Sequence, residues 1–458
     1  MNIPLTLEEN IRLDAIAELQ VVAPERDLLE FNEKYAVVKI GGKTRVMSME
    51  QSPAGLGSVP VYSSFGDFAA FNNKRRKIVT DTTGKQRKVG IGTWWLDNEG
   101  RRQYDGVVYA PNEDTPGKFN LWAGFAVEPK PGDCSLFLDH IHQGIANDVE
   151  VHSSWLLGWM AHAVQNPGQA GEVAVVLRGK EGTGKGVFAK QFGRLFGSHC
   201  KHILNPRHLT GNFNAHLQQC SVLISDEATF AADRSHESIL KGLITEDTLL
   251  IEPKGVDSFA VRNCIHLIML SNSDWVVPAG ADARRYFVLD VSDARMQDHA
   301  YFKAIVDQMA SGGDAALLDM LLKMDLSDFD LRQVPKTAAL ADQKMRSRRG
   351  IDRLVEQIAH DGILPSADLG HAYISITTGE EHGEGFYYRA RQLVPDLKYE
   401  NSTTIVTTLC QHWGCIRWKS GLRRGIRFPP LHELRDLFDR RHGAQSWPDD
   451  IKDWEHGQ

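Results

Sequence analysis

The chain has 458 residues, 42% of them hydrophobic and 24% charged, with a formal net charge of -7. This length favours two to four domains, and the composition excludes a largely disordered chain. The net charge excludes a surface coated in basic residues, although a local basic groove can bind nucleic acid on an acidic protein.

We expect neither an export signal nor a membrane anchor in this sequence. Its first residues, MNIPLTLEENIRLDAIAE, are acidic and lack the charged-then-apolar pattern of a signal peptide. No apolar run approaches the roughly 20 residues that span a bilayer. The 6 cysteines are scattered along the chain, which favours free thiols in a reducing compartment. We therefore expect a soluble cytoplasmic protein with no membrane partner.

The first 150 residues are expected to mix short strands, turns and helices. YAVVKIGGKTRVM predicts a hairpin, because two β-rich runs flank Gly41 and Gly42. The basic cluster KRRK at 74–77 is most simply a solvated loop. From Ser135 to Gln165 the apolar spacing becomes helical, and NPGQAG ends that helix. Residues 173–292 then alternate apolar strands with helical stretches, which predicts a parallel α/β sheet.

A phosphate-binding loop is predicted between the strand VAVVLRG and the helix GVFAKQFGRLF. Gly179, Gly184 and Lys185 have the G-x-x-x-x-G-K spacing in the strand-to-helix context that this motif requires. Glycines, Gly182 included, let backbone N–H groups turn onto phosphate oxygens, and the helix N-terminus adds positive charge. Lys185 would reach the β- and γ-phosphates of ATP.

The loop departs from the usual pattern at one position, because Gly186 replaces the hydroxyl that usually contacts Mg²⁺. A water would take the place of this hydroxyl, or Thr183 would help from within the loop. Both alternatives stay open at this point.

An acidic pair ends the next apolar strand, CSVLISDEATF. We expect Asp226 to hold Mg²⁺, directly or through water, and Glu227 to polarise the attacking water. A kinase needs an acceptor site instead of a water-activating glutamate, so this pair favours ATP hydrolysis. The ordinary alternative is a strand that ends in acidic turn residues.

Two further groups follow in the order that a hydrolytic site requires. The strand NCIHLIMLSNSDW ends near Asn272, whose amide is expected to orient the attacking water. Arg284 and Arg285 precede another strand, and an arginine supplied by a neighbouring subunit would stabilise charge on the transferring phosphoryl group. A surface arginine pair without this role is the alternative.

The order of these motifs resembles that of a superfamily 3 helicase, an AAA+ type found in viruses, phages and plasmids. The motifs are GKEGTGKG, VLISDEA, LIMLSN and ARRYF. The likeness is greatest to the helicase part of phage and poxvirus primase-helicases, and NLWAGFAVEPKPGDC and RGIRFPPLHELR resemble segments of phage-encoded members. It covers roughly residues 30 to 440. The spaced acidic pair plus histidine of an archaeal-type primase is not seen in the first 150 residues, so we do not expect this chain to prime by itself.

The resemblance also implies a hairpin between the second and third motifs that lines the central pore of a hexamer. Here Lys241 begins the interval, and EPKG is the expected tip carrying Lys254. A lysine at such a tip can hold a phosphate of single-stranded DNA. The alternative is an exposed hairpin lysine without a role in DNA binding.

The C-terminal stretch from Arg417 to Arg427 holds five basic residues and no acidic ones. TTIVTTLCQHWGCIRWKSGLRRGIRF predicts a helix followed by a β-hairpin with a basic turn, an arrangement like a winged helix. Arg423, Arg424 and Arg427 are candidates for contact with duplex phosphates, for instance at a replication origin. A basic wing that contacts only a partner subunit is the alternative.

The expected fold class is α/β, with an AAA+-like P-loop ATPase core at 151–335. A mixed and helical collar domain is expected at 1–150, and a winged-helix-like DNA-binding domain at 336–458. The leading hypothesis is an ATP- and Mg²⁺-dependent DNA helicase of phage or mobile-element replication, in the host cytoplasm if phage-encoded. It would act as a homo-oligomer, a hexameric ring on single-stranded DNA, beside a separate primase or polymerase.

Two other functions remain open. An origin-binding initiator would use the nucleotide only as an assembly switch, and the imperfect loop at Gly186 and the basic C-terminal hairpin favour it. A protein remodeller is disfavoured, because such motors usually present an aromatic residue at the pore whereas IEPKG presents a lysine.

Overall fold

The computed structural model describes residues 26–51, 57–80, 83–204, 214–226, 234–253, 257–280, 283–348, 350–364, 373–375, 386–420 and 423–454, with the backbone alone for 234–237, 373–375, 420, 423 and 424. Among these residues no helix is both long enough and apolar enough to cross a membrane. All six cysteines are free, as the sequence predicts.

The secondary structure of these residues is mixed. The strands are β1 (Tyr35–Ile40), β2 (Lys43–Gln51), β3 (Ser58–Ser63), β4 (Arg76–Thr80), β5 (Gln86–Gly90), β6 (Gln103–Tyr104), β7 (Gly106–Val108), β8 (Lys118–Asn120), β9 (Ala174–Arg178), β10 (Cys200–Ile203), β11 (Val222–Ser225), β12 (Thr248–Ile251), β13 (Phe259–Arg262), β14 (His266–Ser271), β15 (Tyr286–Asp290), β16 (Tyr373–Ser375), β17 (Ile416–Ser420) and β18 (Arg423–Arg427).

Helices alternate with these strands. The α-helices are α1 (Arg26–Lys34), α2 (Phe65–Phe71), α3 (Ile91–Leu96), α4 (Ser135–Asp139), α5 (Glu150–Gln165), α6 (Lys185–Arg194), α7 (Arg234–Thr245), α8 (His299–Gln308), α9 (Asp314–Lys323), α10 (Ala338–Arg346), α11 (Gly350–Asp361), α12 (Phe386–Leu393), α13 (Ser402–His412) and α14 (Leu431–His442). Two π-helical turns, His140–Ile145 and Met309–Gly313, follow α4 and α8 directly.

The chain divides into two compact units. The first falls within Met1–Pro278 and Arg284–Gln343, and the second within Ala279–Ala283 and Lys344–Gln458. Apart from residues 279–283, the described residues predicted to form an N-terminal collar and an ATPase core lie in one compact unit. A separate domain boundary near residue 150 stays a prediction.

The N-terminal part of the first unit contains a sheet in the order β3-β2-β1-β6. β1 and β2 are antiparallel around Gly41 and Gly42, whose φ angles are 52° and 70°. A two-residue hairpin turn needs left-handed backbone at such positions, which glycine adopts without steric cost. The predicted hairpin is confirmed. Phe31, Phe68 and Trp95 form an aromatic core beside it.

The central feature of the first unit is a five-stranded sheet in the order β10-β11-β14-β9-β15. Every pair of neighbours is parallel, which confirms the predicted parallel α/β sheet. β11 and β14 are buried along their whole length, and β9 and β15 along all but the last residue. Such continuous apolar strands are typical of parallel sheets covered on both faces.

The strand order creates a switch point beside β9. The connection from β9 to β10 crosses the sheet in one direction, whereas those from β10 to β11, β11 to β14 and β14 to β15 run in the other. Because right-handed crossovers in opposite directions pass over opposite faces, the chain leaves the neighbouring strands β9 and β14 on different faces. Open α/β sheets bind ligands at the carboxyl ends of strands at such a point.

A hairpin is inserted between β11 and β14, in the interval where the resemblance predicts one. β12 and β13 are antiparallel, and helix α7 precedes them. The Asn263 amide donates to the carbonyls of Leu243 and Glu246 at 2.9 Å each and so fixes the base of the hairpin against α7. Residues 254–256 at its tip lie outside the described residues.

The second unit combines helices with a small sheet in the order β16-β18-β17. Helix α13 leads into the antiparallel pair of β17 and β18, so the predicted helix and hairpin are confirmed. Leu354, Leu409, Trp413 and Phe438 are fully buried and belong to the core of this unit. Arg423 and Arg424 lie in β18, where they pair with Ser420 and Lys419 of β17. Residues 421 and 422, between the two strands, lie outside the described residues.

Candidate functional site

The predicted phosphate loop, residues 179–185, connects β9 directly to α6. Gly182 and Gly184 have φ angles of 79° and 91°. Residues with a side chain rarely adopt such angles, so the two glycines allow a tight loop that ends at the first turn of the helix. The loop therefore meets the N-terminus of α6, where free N–H groups and the helix dipole favour an anion.

The loop is packed against its surroundings on several sides. The Gly179 N–H donates to the Ser271 carbonyl at 3.2 Å, and the Gln297 N–H donates to the Gly182 carbonyl at 2.9 Å. A side chain at Gly184 would place its Cβ only 2.5 Å from His140 Cε1 and from Phe302 Cε1. The loop is thus held in its shape by the end of β14, by a segment that precedes the sheet in the chain, and by a segment that follows it.

Lys185 directs its ammonium into this loop. Nζ donates to the carbonyls of Gly179 and Lys180 at 2.6 and 2.7 Å and to Asn272 Oδ1 at 3.0 Å. Burial lowers the pKa of Lys185, and the negative charges of Asp226 and Glu181 oppose this shift. The ammonium occupies the centre of the loop, where it would meet phosphate oxygens.

The two polar residues predicted at strand ends lie beside the loop in different ways. Asn272 follows β14, the neighbour of β9, and contacts Lys185 directly. Asp226 follows β11, and its backbone N–H donates to the Ile203 carbonyl at 2.9 Å. Its carboxylate lies 3.4 Å from His202 Nε2. Glu227 lies outside the described residues.

The two candidates for the hydroxyl missing at Gly186 have different surroundings, and which of them acts stays a prediction. Thr183 is buried, and its hydroxyl donates to the Lys180 carbonyl at 2.9 Å inside the loop. Around Gly186, by contrast, the described residues place no atom within 4 Å of the position that a Cβ would take, apart from the backbone of α6 itself and the residues on either side. As far as these residues show, the space beside Gly186 is open to a water or to an introduced side chain.

The residues present fit a Mg²⁺ ion that is held mainly by nucleotide phosphates. The described residues contain no cluster of three or more histidine, cysteine, aspartate or glutamate side chains that would bind a metal alone. Mg²⁺ at nucleotide sites usually takes one or two carboxylates, waters and substrate oxygens. Asp226, whose side chain is 37% exposed, supplies a carboxylate of this kind.

The arginine pair precedes β15, as predicted, but does not contact the loop within the described residues. Arg284 is exposed and has no ion-pair partner there. The Arg285 carbonyl accepts from the Ala174 N–H at 2.8 Å, and its Nε is buried without a hydrogen-bond partner in the described part of the chain. An action on a neighbouring subunit stays a prediction for both.

The predicted DNA contacts lie away from the loop in sequence. Lys241 is half-buried in α7, where its carbonyl accepts from the Thr245 hydroxyl at 2.8 Å. Lys254 lies outside the described residues. Arg423 and Arg424 belong to β18 by their backbone, and Arg427 at its end is exposed.

Sequence reasoning missed two histidines at this site. His140 is fully buried, and its Nε2 lies 3.2 Å from the Gly184 carbonyl. Burial lowers its pKa, so the neutral ring is favoured, and Tyr301 and Phe302 contact it edge-on. His202 contacts Asp226. No spacing pattern links either histidine to the loop motif, so only the fold brings them there.

Comparisons with known proteins relate the chain to a phage replication protein. Residues 177–285, from the phosphate loop to the arginine pair, match a family of unknown function, DUF5906. Over 140 residues the chain is 26% identical to the DNA primase-polymerase of Nitratiruptor phage NrS-1. This match covers 30% of the chain and 19% of the phage protein, so it spans less than a fifth of that relative.

Solved structures share the fold over much more of the chain. Two apo structures of the NrS-1 C-terminal region superpose with TM-scores of 0.59 at 14% and 15% identity, covering 89% and 88% of this chain and all of theirs. A third superposes with a TM-score of 0.56 at 15% identity, covering 79% of this chain and 99% of its own. The chain therefore has a mixed α/β fold similar to that of the NrS-1 C-terminal region.

Proposed function

We propose that the chain is an ATP-hydrolysing motor of phage DNA replication, a helicase of the superfamily 3 and AAA+ type. One observation carries this proposal. The Lys185 ammonium lies within a glycine loop at a switch point of a parallel sheet and contacts Asn272 at the end of the neighbouring strand. A lysine, an amide and a carboxylate at adjoining strand ends are the groups that bind and hydrolyse a nucleoside triphosphate.

Each residue has a distinct role in this proposal. Lys185 exchanges the carbonyls of Gly179 and Lys180 for oxygens of the β- and γ-phosphates, and the N–H groups of the loop bind the same phosphates. Glu227 accepts the proton of the attacking water, which Asn272 orients. Mg²⁺, held by Asp226 and the phosphates, would neutralise charge on the triphosphate.

Assembly into a ring, as a hexamer, supplies the remaining charge. Arg284 is exposed and has no ion-pair partner among the described residues. An arginine that acts on a neighbouring subunit needs both properties. The β12–β13 hairpin would carry Lys254 towards single-stranded DNA. Similarity to a phage DNA primase-polymerase and to the fold of its C-terminal region supports a place in DNA replication.

The Glu227→Gln variant tests the hydrolytic role. It should bind ATP with nearly unchanged affinity and hydrolyse it at least about 100-fold more slowly, as expected when a catalytic proton acceptor is lost. The matched control Asp226→Asn should instead raise the Mg²⁺ concentration needed for hydrolysis. Normal turnover by Glu227→Gln would rule out the assignment.

An origin-binding initiator is the second candidate, and the second unit favours it. The β17–β18 hairpin follows helix α13 and carries exposed basic residues, Arg417, Lys419 and Arg427 among them. In this case the nucleotide would act as an assembly switch, and duplex binding would occur without strand separation. Specific duplex binding by a protein that does not hydrolyse ATP would support this function over the motor.

A further inference from the structure

A two-stranded ribbon of basic residues lies in the N-terminal part of the first unit. Among the described strands, β4 and β5 pair with each other and with no third strand, in antiparallel register, with Ile78 opposite Lys88 and Val79 opposite Arg87. Because side chains alternate along a strand, the ribbon has two faces of different composition. Residues 81 and 82, between the strands, lie outside the described residues.

The inner face of the ribbon is fixed to the N-terminal part of the unit. Lys77 Nζ lies 2.7 Å from Asp27 Oδ2 and 3.8 Å from the centroid of the Trp94 ring. At the start of the ribbon, Arg75 forms ion pairs with Asp27 and, at 2.8 Å, with Glu30. These contacts neutralise the two cations and hold the base of the ribbon in one orientation.

The outer face is exposed and carries different side chains. The five residues that share it by strand alternation and register are Arg76, Ile78, Thr80, Gln86 and Lys88. Arg76 and Lys88 are exposed and form no ion pair with any described residue. Ile78 is next to Arg76 along β4 and opposite Lys88 on β5, and it is 65% exposed. A large exposed apolar side chain beside two unpaired cations is not explained by the packing of the unit.

We propose that this outer face binds duplex DNA by lying in its major groove. The groove is about 12 Å wide and admits a two-stranded β-ribbon, whose strands are about 4.8 Å apart. Arginine, lysine and glutamine are the residue types that donate to bases and phosphates in this groove, and an apolar side chain contacts the thymine methyl group. All of these types are present on the outer face.

The geometry suits a duplex more closely than a single strand. Arg76 and Lys88 are diagonal neighbours on the ribbon, a separation of about 7–8 Å. Arg76 is next to Ile78 along β4, and Lys88 lies opposite Ile78 on β5. One cation on each strand can contact phosphates along the groove while the adjacent Ile78 meets the base edges. Binding to single strands usually depends on exposed aromatic rings that stack on bases, and the outer face has none.

This inference rests only on the nucleic-acid part of the proposed function, because it does not require ATP hydrolysis. A motor that separates strands meets duplex DNA ahead of its ring, and the ribbon would contact that duplex. Exposed charges can also serve only to keep the edges of a ribbon from pairing with other chains. If Arg76 and Lys88 had that role alone, removing their charges would leave DNA affinity unchanged.

The test measures binding of the full chain to a short duplex and to a single strand of the same sequence, without nucleotide, over a range of salt concentrations. The ribbon variant combines Arg76→Gln and Lys88→Gln. The control combines Lys130→Gln and Lys336→Gln, which remove the same charge from two exposed positions away from the ribbon. Since all four side chains are exposed, each variant should fold normally, which its thermal unfolding will report.

The ribbon variant should bind the duplex at least about 10-fold more weakly, with a salt dependence reduced by about 2 in slope for two lost phosphate contacts. The control should match the unchanged chain. Ile78→Ser should weaken duplex binding without changing the slope, because it removes no charge. Unchanged duplex binding in the ribbon variant, or a loss confined to the single strand, would overturn the proposal. ATP hydrolysis without DNA, measured on the same preparations, reports separately on the proposed motor.

Discussion

Lys185 donates a hydrogen bond from Nζ to Asn272 Oδ1 over 3.0 Å, and so joins the start of α6 to the end of β14. The two residues are 87 positions apart in the chain. The bond places an amide next to the lysine that would hold the γ-phosphate. The proposed site therefore depends on the alignment of two neighbouring parallel strands.

The first prediction concerns Asn272→Ser, which shortens the side chain and removes this amide. We expect kcat for ATP hydrolysis to fall by about 100-fold, a typical loss for one oriented polar group in an active site, while ATP affinity changes little. Steady-state kinetics and binding of a fluorescent ATP analogue measure the two quantities separately. An equal loss in both would show that Asn272 only supports the loop.

The second prediction concerns the missing hydroxyl. Because the described residues leave the space beside Gly186 open, Gly186→Ser should be accommodated and should lower the Mg²⁺ concentration that gives half-maximal hydrolysis. Gly186→Ala is the matched control, since it adds the Cβ without the hydroxyl and should change only stability, by about 0.5–1 kcal/mol in favour of the helix. If both variants respond to Mg²⁺ alike, the hydroxyl has no role at this position.

The third prediction concerns the shape of the loop. In Gly184→Ala, the alanine must adopt a left-handed backbone conformation, which costs about 1–2 kcal/mol. Its Cβ would also clash with His140 and Phe302. Overpacking adds about 1–3 kcal/mol. The free energy of unfolding, measured by urea denaturation, should therefore fall by several kcal/mol. If the free energy of unfolding fell only as much as it does when an exposed glycine is replaced by alanine, the packing of the loop against His140 would be contradicted.

The fourth prediction concerns pH. His199 accepts a hydrogen bond from the Ala123 N–H at Nε2, at 3.0 Å, so its ring must be neutral, and burial lowers its pKa to about 4. The unfolded chain has a pKa of about 6.5 at this residue and binds a proton first as the pH falls. The contribution of His199 to the free energy of unfolding should be retained above about pH 6.5. It should be lost as the pH falls towards 4, by about 1.4 kcal/mol per pH unit.

The matched variant for this prediction is His199→Gln. Glutamine can accept from Ala123 and donate to the Gln219 carbonyl, as the neutral imidazole does, but it does not titrate. Urea denaturation from pH 7 to pH 4.5 should show a shallower pH dependence for His199→Gln than for the unchanged chain. Identical slopes would mean that other groups, such as the buried His266, account for the acid sensitivity.

Local sequence predicted much of the fold but little of the arrangement around the loop. The Gly41 and Gly42 hairpin and the strand and helix that flank Lys185 follow from short-range patterns, and the structure has them. The strand order depends on pairing between distant segments, which periodicity does not encode. His140 contacts Gly184, 44 positions away in the chain, from a π-helical turn that no local sequence pattern predicts.

The most direct test of the proposed motor is ATP hydrolysis by the purified chain with and without single-stranded DNA, beside a Lys185→Ala control. We predict turnover that DNA stimulates and that Lys185→Ala abolishes, since the ammonium at the centre of the loop is lost. Nucleotide binding without turnover in the unchanged chain, with or without DNA, would contradict the motor and would favour the initiator.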